Sequence, residues 1–369
     1  MKYYLIAGEA SGDLYGANLV RALREADPKA VFRYWGGDMM AEAVGEPPVR
    51  HIRDLAIMGF VEVAVHLKTV LGNIRSCQQD IAAFGPDVVI GIDYPGFNFR
   101  IAKWAHGQGY KTVHYISPNL WAWKKGRIKS MRRDLDCLCY ILPFERQFFA
   151  ENDMPQAVYV GHPLLDCVNK THSSNQAIKQ SSNLIALLPG SRRQELKNSL
   201  PLMIQLAQRH PEYRFVVAGM SLIGKAFYEK LIPKGANVEV VYDRTYGLLS
   251  SAHAAVVCSG TATLETALYN VPQVVCYSGN AISYVIARAI VSSRIKYISL
   301  VNLIVDKPVV TELIQNDFNL QRLEKEFALI AADPAYRQEM QQQYAEVRTL
   351  LGDGGASRAT AKAIIDTLQ

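Results

Sequence analysis

The chain has 369 residues, 49% of them hydrophobic and 20% charged, which excludes a disordered chain and, at roughly 100–200 residues per domain, favours two domains. The formal net charge of +6 suits anionic partners such as phosphates or acidic lipids and is too small to indicate a nucleic-acid-binding protein. The longest apolar stretch, Ala56–Leu67, contains Glu62 and is far shorter than the roughly 20 residues of a membrane-spanning helix, and the N-terminus shows no signal-peptide pattern. We therefore expect membrane contact to be at most peripheral.

Cysteine usage predicts a reducing compartment and no structural zinc. The six cysteines form no Cys-x-x-Cys pair, and no histidine lies at ligand spacing from them. Cys137 and Cys139 alternate within an apolar run, as two residues on one face of a strand do. Such usage is typical of the cytoplasm.

The first part of the chain alternates strand-like and helical segments. Short apolar runs that end in Gly, Pro, Asp or Ser predict strands at Lys2–Ala7, Phe32–Trp35, Val88–Ile92, Val113–Ile116, Cys137–Leu142 and Val158–Val160. Helical spacing predicts helices at Leu14–Ala26, Leu67–Phe84 and Phe97–His106. This alternation predicts a parallel sheet with covering helices over residues 1–165.

A polar stretch at 166–183 carries no apolar periodicity and predicts an exposed linker. A second alternating series follows, with strands predicted at Leu184–Leu188, Arg214–Ala218, Val238–Tyr242, Ala254–Cys258 and Val274–Tyr277. Residues 184–336 are therefore predicted to form a second domain, and the chain is helical from Asn319 onward. The predicted fold class is α/β, with two Rossmann-like, doubly wound parallel-sheet domains.

Ligands of open α/β sheets bind outside the carboxyl ends of the strands, so polar residues at those ends are the candidates. The first strand is followed by Gly8-Glu-Ala-Ser-Gly-Asp13, where a helix N-terminus faces a ligand or Ser11 or Asp13 merely caps the helix. There is no Gly-x-Gly-x-x-Gly here, which argues against a nicotinamide dehydrogenase. Asp93 follows another strand and is either a base for a sugar hydroxyl or part of an Asx-type turn before Pro95.

Two later strand ends carry groups suited to a diphosphate. Gly190 and Ser191 are followed by Arg192, which either pairs with a diphosphate through its planar guanidinium or is a surface residue beside a helix cap. Ser259-Gly-Thr261 opens a helix whose free N–H groups and hydroxyls form an anion site. Glu265, one turn later, either accepts both hydroxyls of a ribose or complements the helix dipole.

Two segments suggest lipid contact. Trp121 and Trp123 precede Lys124–Arg133, a basic run that favours a membrane interface or a lipid phosphate, with a solvated helix face as the alternative. The segment 57–71 is either ordinary core or an exposed apolar patch that receives acyl chains. The patch residues are Ile57, Met58, Phe60, Val61, Val63, Leu67, Val70 and Leu71.

A series of motifs in fixed order resembles the lipid-A-disaccharide synthase family, GT-B glycosyltransferases of family 19. The resemblance covers nearly the whole chain, and its order and spacing are more specific than any one motif. The motifs are Ala7-Gly-Glu-Ala-Ser-Gly-Asp13, Met58-Gly-Phe-Val-Glu62, Val89-Ile-Gly-Ile-Asp93, His114-Tyr-Ile-Ser-Pro-Asn-Leu-Trp-Ala-Trp123, Leu142-Pro-Phe-Glu145, Gly161-His162, Leu187-Leu-Pro-Gly-Ser-Arg192 and Ser259-Gly-Thr-Ala-Thr-Leu-Glu265.

The resemblance implies an inverting transfer of 2,3-diacylglucosamine from UDP-2,3-diacylglucosamine to 2,3-diacylglucosamine 1-phosphate, which gives the β-1,6 disaccharide 1-phosphate and UDP. It implies no cofactor and no metal, so Asp134-Leu-Asp136, a D-x-D string, is interpreted as incidental. It also implies an enzyme on the cytoplasmic face of the inner membrane, and C-terminal helices, about Arg337–Gln369, that return to the N-terminal domain. No nucleic-acid partner is expected, and a homo-oligomer stays open.

Carried over by position, the resemblance makes Asp93 the base for the acceptor 6-hydroxyl and places Glu9 and Ser11 on the acceptor side of a cleft that the two domains face. The donor would be bound by Gly190, Ser191, Arg192, Ser259, Gly260, Thr261, Ala262, Thr263, Glu265, Asn302 and Glu312. The chain departs from the family pattern at Gly96, where an acidic residue is common, and at Val301, where Pro is commoner.

Two other interpretations stay open at this point. One is a different UDP-sugar enzyme on the same fold, either a lipid-linked GlcNAc transferase or a UDP-GlcNAc 2-epimerase. The other is a non-catalytic sensor of lipid or nucleotide. Asp93, Arg192 and Glu265 all lie at or just past strand ends, which argues against the sensor.

Overall fold

A computed structural model describes residues 1–55, 67–118, 126–173, 183–278 and 296–369. The chain forms two compact units. The first, unit 1, comprises Met1–Asp166 together with Gly354–Gln369, and the second, unit 2, comprises Cys167–Asp353.

Unit 1 is built on a seven-stranded parallel sheet in the order β3-β2-β1-β4-β5-β6-β7. The strands are β1 Lys2–Ala7, β2 Val31–Gly36, β3 Arg50–His51, β4 Val88–Ile92, β5 Lys111–Tyr115, β6 Cys137–Tyr140 and β7 Ala157–Tyr159. The described helices are α1 Ala10–Ala26, α2 Asp38–Val44, α3 Ile52–Leu55, α4 Leu67–Phe84, α5 Pro95–Gly107, α6 Arg127–Asp134, α7 Glu145–Glu151 and, from the C-terminus, α16 Ala356–Leu368. Helix α8, Leu164–Ser173, begins in unit 1 and continues into unit 2.

Unit 2 is built on a six-stranded parallel sheet in the order β10-β9-β8-β11-β12-β13. The strands are β8 Leu184–Leu188, β9 Arg214–Gly219, β10 Val238–Tyr242, β11 Ala254–Cys258, β12 Gln273–Tyr277 and β13 Glu312–Ile314. The described helices are α9 Arg193–Arg209, α10 Lys225–Leu231, α11 Thr245–Leu249, α12 Thr261–Leu268, α13 Leu300–Val305, α14 Leu320–Ala332 and α15 Pro334–Leu351.

The central strands are apolar along their whole length because helices cover both faces of each sheet. In β1 residues Tyr3–Ala7 are at most 1% exposed, and in β8 residues Leu184–Leu188 are at most 4% exposed. On one face of the first sheet, Tyr4 and Ile6 pack with Trp35 and with Ile74 of α4. The predicted fold class is confirmed, and the two strands that no apolar run predicted, β3 and β13, are only two and three residues long.

The predicted exposed linker at 166–183 is wrong for its first part. Helix α8 continues to Ser173, and Leu165 and Val168 on it are fully buried. The polar composition of the following residues hid this apolar start, and residues 174–182 lie outside the described part of the chain.

The return of the C-terminus to unit 1 begins later than expected, at Gly354 instead of Arg337. Helix α15 stays with unit 2, where Met340 and Tyr344 are buried and Gln273 donates a hydrogen bond to the Tyr344 hydroxyl at 3.2 Å. Only α16 packs on unit 1, against α1 and the β5 and β6 strands. None of the described helices is long and apolar enough to span a bilayer.

Candidate active site

Each sheet has one place where the strand order reverses, and the predicted residues 9–11, 93, 190–192 and 259–265 lie at these two places. In unit 1 the chain runs outward from β1 in one direction and from β4 in the other, and Ala7 pairs with Ile92 at the carboxyl ends. In unit 2 the reversal lies between β8 and β11, where Leu188 pairs with Val257. Such positions leave a crevice outside the strand ends, where ligands of open α/β sheets bind. We call residues 8–13 and 93–98 the N-terminal switch point, and residues 189–195 and 259–265 the C-terminal switch point.

Asp93 is held in an unusual backbone conformation at the N-terminal switch point. Its φ is 48° and that of Tyr94 is 49°, two successive left-handed residues without glycine. This conformation is costly for a side-chain-bearing residue and is fixed by the surroundings. The Asp93 N–H donates to Tyr115 O at 2.9 Å, and the Asp93 carbonyl accepts from Asn98 Nδ2 at 2.7 Å. The partly exposed carboxylate is thus carried on a defined turn.

The two loops of the N-terminal switch point contact each other through Tyr94. A Cβ at Gly8 would lie 2.5 Å from the Tyr94 ring, so only glycine lets the ring cover this loop. Burial, and after it the negative charge of Glu9, raises the pKa of Tyr94 above its ordinary value. Glu9 is exposed and Ser11 partly exposed at the same edge. The structure therefore places Glu9, Ser11 and Asp93 at the same edge of the sheet, in two loops that meet at Tyr94.

Asp13 caps a helix, although not its own. Helix α1 begins at Ala10, and neither Ser11 nor Asp13 occupies its N-cap position. The buried Asp13 carboxylate instead accepts from the backbone N–H groups of Gly37, Met39 and Met40, at 2.7 to 3.1 Å, at the start of α2. Burial raises the pKa of Asp13 in spite of these three donors. The predicted N-cap role in α1 is therefore wrong, because the partners lie on a different helix.

In the first loop of the C-terminal switch point, two backbone amides are hydrogen-bonded to the carboxylate of Glu195. Glu195 Oε2 accepts from the N–H groups of Ser191, at 2.8 Å, and Arg192, at 3.2 Å. Gly190 has φ 112°, and a Cβ there would lie 2.6 Å from Glu195 Cβ. Arg192 Nη1 lies 3.5 Å from Glu195 Oε1, and the Arg192 side chain is 62% exposed. The guanidinium of Arg192, more than the amides of this loop, is therefore offered to a ligand.

In the second loop, no side chain among the described residues caps the first amides of the helix. Gly260, with φ 155°, is the N-cap of α12 and has no side chain to bond them, and the first turn of this helix has no acidic residue. Ser259 and Thr261 are partly exposed. The unsatisfied N–H groups and the dipole at such an end favour an anion. Thr263 was predicted to contact the nucleotide, but it is fully buried and its hydroxyl donates to Gly260 O at 2.9 Å, so it holds the turn.

Glu265 is a carboxyl that is easily protonated. Burial raises its pKa to about 7, in spite of a hydrogen bond from the Tyr246 hydroxyl at 3.3 Å. The Tyr246 ring stacks on Tyr269 with 5.8 Å between centroids. Sequence reasoning missed Tyr246, which follows a strand as the other candidates do, and it missed Glu195, which lies at the third helical position where capping glutamates occur.

Asn302 and Glu312 are hydrogen-bonded to each other and to backbone groups of unit 2. Asn302 is 1% exposed and donates to Glu312 Oε1 at 2.9 Å and to Val310 O, while its own oxygen accepts from Val310 N. Glu312 also accepts from the N–H groups of Ile298 and Ser299. The predicted direct donor contact of Asn302 is therefore wrong, because both ends of its side chain are bonded within the fold.

The comparisons with known proteins decide the family. A family model described as lipid-A-disaccharide synthetase matches residues 3–365. The chain is 35% identical to the lipid-A-disaccharide synthase of Geobacter sulfurreducens, over 99% of this chain and 96% of that protein. It is 36% identical to that of Syntrophus aciditrophicus and 33% to that of Coxiella burnetii, each over 98% of this chain and 96% of the relative. The chain belongs to the lipid-A-disaccharide synthase family. It is thus a glycosyltransferase of lipid A biosynthesis.

Solved structures agree on the fold. UDP-GlcNAc 2-epimerase from Neisseria meningitidis, bound to UDP-GlcNAc, matches with a TM-score of 0.69 and 14% identity over 99% of this chain and 100% of that one. The calicheamicin glycosyltransferase CalG4 matches with a TM-score of 0.59 and 18% identity over 99% and 98%. At such identities the likeness shows the fold alone, which is the GT-B class with two Rossmann-like units.

The D-x-D string of this family member lies at the amino end of β6, at the opposite end of the unit 1 strands from the N-terminal switch point. Asp134 pairs with Arg133 at 2.6 Å, and Asp136 accepts from the N–H of Thr112 at 2.8 Å, both just before the amino end of β6. Within the described ranges, no three His, Cys, Asp or Glu side chains gather as a metal site. The absence of a required metal stays a prediction.

The predicted lipid patch is only partly described. Val70 is 4% exposed and packs in the core beside Ile74, so its place in a surface patch is wrong, whereas Leu71 is 46% exposed. Ile57, Met58, Phe60, Val61 and Val63, the Leu67 side chain, and Trp121 and Trp123 lie outside the described residues. In the basic helix α6, Lys129, Arg132 and Arg133 are exposed, while Ile128 and Met131 are buried.

Proposed function

We propose that this family member transfers 2,3-diacylglucosamine from UDP-2,3-diacylglucosamine to the 6-hydroxyl of 2,3-diacylglucosamine 1-phosphate with inversion, which gives the β-1,6-linked disaccharide 1-phosphate and UDP. The observation that carries this proposal is the opposite chemistry of the two switch points. One offers the carboxylate of Asp93, and the other offers the guanidinium of Arg192 and the N-terminus of α12, which begins after a glycine.

The C-terminal switch point suits a diphosphate leaving group. Negative charge grows on UDP as the glycosidic bond breaks, and fixed positive charge and oriented N–H groups stabilise it without reorganisation. Arg192 supplies the charge, and the N-terminus of α12 supplies the amides and the dipole. Leu188 pairs with Val257, so the loops that follow β8 and β11 begin at neighbouring strand ends. The two loops therefore form one donor-binding region, in which no metal has a required role.

Asp93 suits the role of general base. Its carboxylate is partly exposed, and the turn that carries it is fixed by hydrogen bonds to Tyr115 and Asn98. As the acceptor oxygen attacks the anomeric carbon, Asp93 takes the hydroxyl proton. The reaction has one displacement, so the configuration at the anomeric carbon inverts. Glu9 and Ser11, at the same edge, contact the acceptor sugar.

Glu265 suits the ribose of the nucleotide. Its carboxylate lies one turn into α12, beyond the amides that would meet the diphosphate, and the ionised form accepts two hydroxyl hydrogen bonds. The acyl chains of both substrates would contact the apolar surface that includes Leu71. This contact would hold the enzyme on the cytoplasmic face of the inner membrane.

A turnover assay tests this proposal against its rivals. The purified chain is incubated with the diacylated UDP-sugar, with and without the acylated acceptor 1-phosphate, and UDP and lipid products are followed by mass spectrometry. We expect UDP release and a tetraacyl disaccharide 1-phosphate only when both substrates are present. A parallel incubation contains UDP-GlcNAc alone, and its conversion to the 2-epimer would establish the epimerase instead. Binding of a UDP-sugar without turnover in any of these incubations would establish the sensor.

A further inference from the structure

The turn that carries Asp93 is bonded to a buried side chain of the helix that follows it. Asn98, near the start of α5, is 2% exposed. Its Nδ2 donates to Asp93 O at 2.7 Å, to Ile6 O at 3.2 Å and, more weakly, to Ile92 O at 3.4 Å. One amide group therefore binds backbone carbonyls at the carboxyl ends of both β1 and β4, the neighbouring strands of the N-terminal switch point.

This turn needs an anchor because its backbone is strained. Asp93 and Tyr94 have left-handed φ angles of 48° and 49°. Residues with a side chain keep this conformation only where the surrounding structure compensates for its cost. Asn98 compensates with both of its parts, since its backbone N–H donates to Tyr94 O at 3.0 Å and its side chain donates to Asp93 O. The peptide group that follows Asp93 and the next one are therefore both held by Asn98.

The Asn98 side chain is packed against the backbone of β4. A Cβ at Gly91 would lie 2.9 Å from Asn98 Cβ and 3.0 Å from His114 Nδ1, so both side chains need a glycine at this position. Asn98 Oδ1 is buried and makes no hydrogen bond with any of the described residues. A buried acceptor without a donor costs free energy. The contribution of this amide therefore lies in the hydrogen bonds that Nδ2 donates.

We propose that Asn98 is a positioning residue for the glycosyl transfer, because its amide holds the strained turn that places the Asp93 carboxylate at the acceptor hydroxyl. This inference rests on the proposed function, in which Asp93 takes the proton of that hydroxyl. Displacement of a reacting group by about 1 Å lowers catalysis up to about 100-fold. Without the amide the turn relaxes and the carboxylate moves, so kcat falls. UDP affinity, which depends on residues of unit 2, is unchanged.

The test compares Asn98→Leu with a matched control, Thr112→Val. Each change replaces a buried hydrogen-bonding side chain with an apolar one of the same branching. Thr112 is fully buried and donates to Asp134 O at 2.8 Å, near the amino end of β5 and away from the switch point. We expect Asn98→Leu to lower kcat about 10- to 100-fold, with the KM of both substrates and the UDP dissociation constant within threefold of wild type. Thr112→Val should keep kcat within twofold.

A double-mutant cycle with Asp93→Asn distinguishes positioning from a general loss of stability. If Asn98 acts through Asp93, adding Asn98→Leu to Asp93→Asn should change the residual kcat less than twofold, because independent effects would multiply and coupled effects do not. Asn98→Ala also lacks the donors and serves if the leucine variant does not fold. A further 10- to 100-fold loss in the double variant, or full kcat in a folded Asn98 variant, would overturn the positioning role.

Amide hydrogen exchange supplies a readout that does not need turnover. Exchange at Asp93, whose N–H donates to Tyr115 O at 2.9 Å, should be faster in Asn98→Leu and unchanged in Thr112→Val. Unchanged exchange at Asp93 in both Asn98 variants would overturn the anchoring of the turn. If the wild type makes no disaccharide while exchange responds as expected, the proposed function fails and the anchoring of the turn by Asn98 stands.

Discussion

The two switch points share a strand arrangement and differ in chemistry. Each lies where a parallel sheet reverses its strand order, between β1 and β4 in unit 1 and between β8 and β11 in unit 2. The first presents the carboxyl groups of Glu9 and Asp93, and the second presents Arg192 and the N-terminus of α12. The strand arrangement therefore determines where a ligand binds. A few loop residues determine whether that position can accept a proton or bind a diphosphate.

A second difference lies inside the C-terminal switch point. The amides of Ser191 and Arg192, just before α9, are bonded to Glu195, whereas α12 follows a glycine and its first amides have no side-chain cap within the described part of the chain. Two helix N-termini at one sheet edge are thus unequal as anion sites. The second offers backbone donors, and the first offers only a side-chain cation.

The largest expected effect comes from removing the carboxylate of the N-terminal switch point. Asp93→Asn should lower kcat by about 10³-fold, because a general base contributes roughly 10²–10⁴-fold, while UDP binding stays within twofold of wild type. The measurement is steady-state turnover together with calorimetric titration of UDP. Asp87→Asn, just before the other end of the same strand, is the control and should leave kcat unchanged, because the Asp87 carboxylate accepts from the Lys2 N–H at the opposite edge of the sheet. Near-normal turnover of Asp93→Asn would show that Asp93 is not the general base.

The next largest effect is expected on UDP affinity when Arg192, the cation of the C-terminal switch point, is replaced. Arg192→Ala should weaken UDP binding about 10- to 100-fold, because charge-assisted hydrogen bonds contribute about 1.5–3 kcal/mol. The UDP affinity of Arg192→Lys should lie between those of the wild type and Arg192→Ala, since lysine keeps the positive charge and lacks the planar guanidinium. Arg209→Ala, at the far end of the same helix and paired with Glu324, is the control. Equal UDP affinity in Arg192→Ala and wild type would show that the diphosphate lies elsewhere.

A smaller, pH-dependent effect is expected at Glu265. Burial raises its pKa to about 7, and only the ionised form accepts both ribose hydroxyls, so affinity should rise as pH passes through 7. UDP itself titrates in this range, so the quantity to measure is the ratio of wild-type to Glu265→Gln affinity. This ratio should increase about tenfold between pH 6 and pH 8. If the ratio of the two UDP affinities did not change with pH, Glu265 would not be the residue that binds the ribose.

The smallest effect distinguishes a carboxyl with a structural role from those of the site. Glu145 also follows a strand, but it is 1% exposed and burial raises its pKa to about 8. Because the folded-state pKa lies above the ordinary value, its contribution to stability is present at low pH and is lost as pH rises to about 8. Glu145→Gln, which mimics the neutral form, should therefore unfold near the wild-type temperature at pH 5 and a few degrees above it at pH 9. A variant less stable than wild type at pH 9 would contradict this assignment.

Sequence predicted the strands and the place of the site because both depend on local patterns. Buried parallel strands are continuous apolar runs, and the site residues follow them directly. Asp13 shows what local pattern misses, because its partners lie 24 to 27 residues further along the chain. Val70 was wrongly predicted to lie in a surface patch. The helical spacing of Val70, Ile74, Cys77 and Ile81 indicates a buried face of the helix, and Leu71 does not belong to it. Glu195 was open to prediction from its capping position alone.

A crystal structure of the chain with UDP bound would test the division of labour between the two switch points most directly. We expect the diphosphate within hydrogen-bond distance of the Arg192 guanidinium and of the first N–H groups of α12, with the ribose hydroxyls on Glu265. A diphosphate bound in unit 1, or in unit 2 away from residues 190–192 and 259–265, would contradict the account.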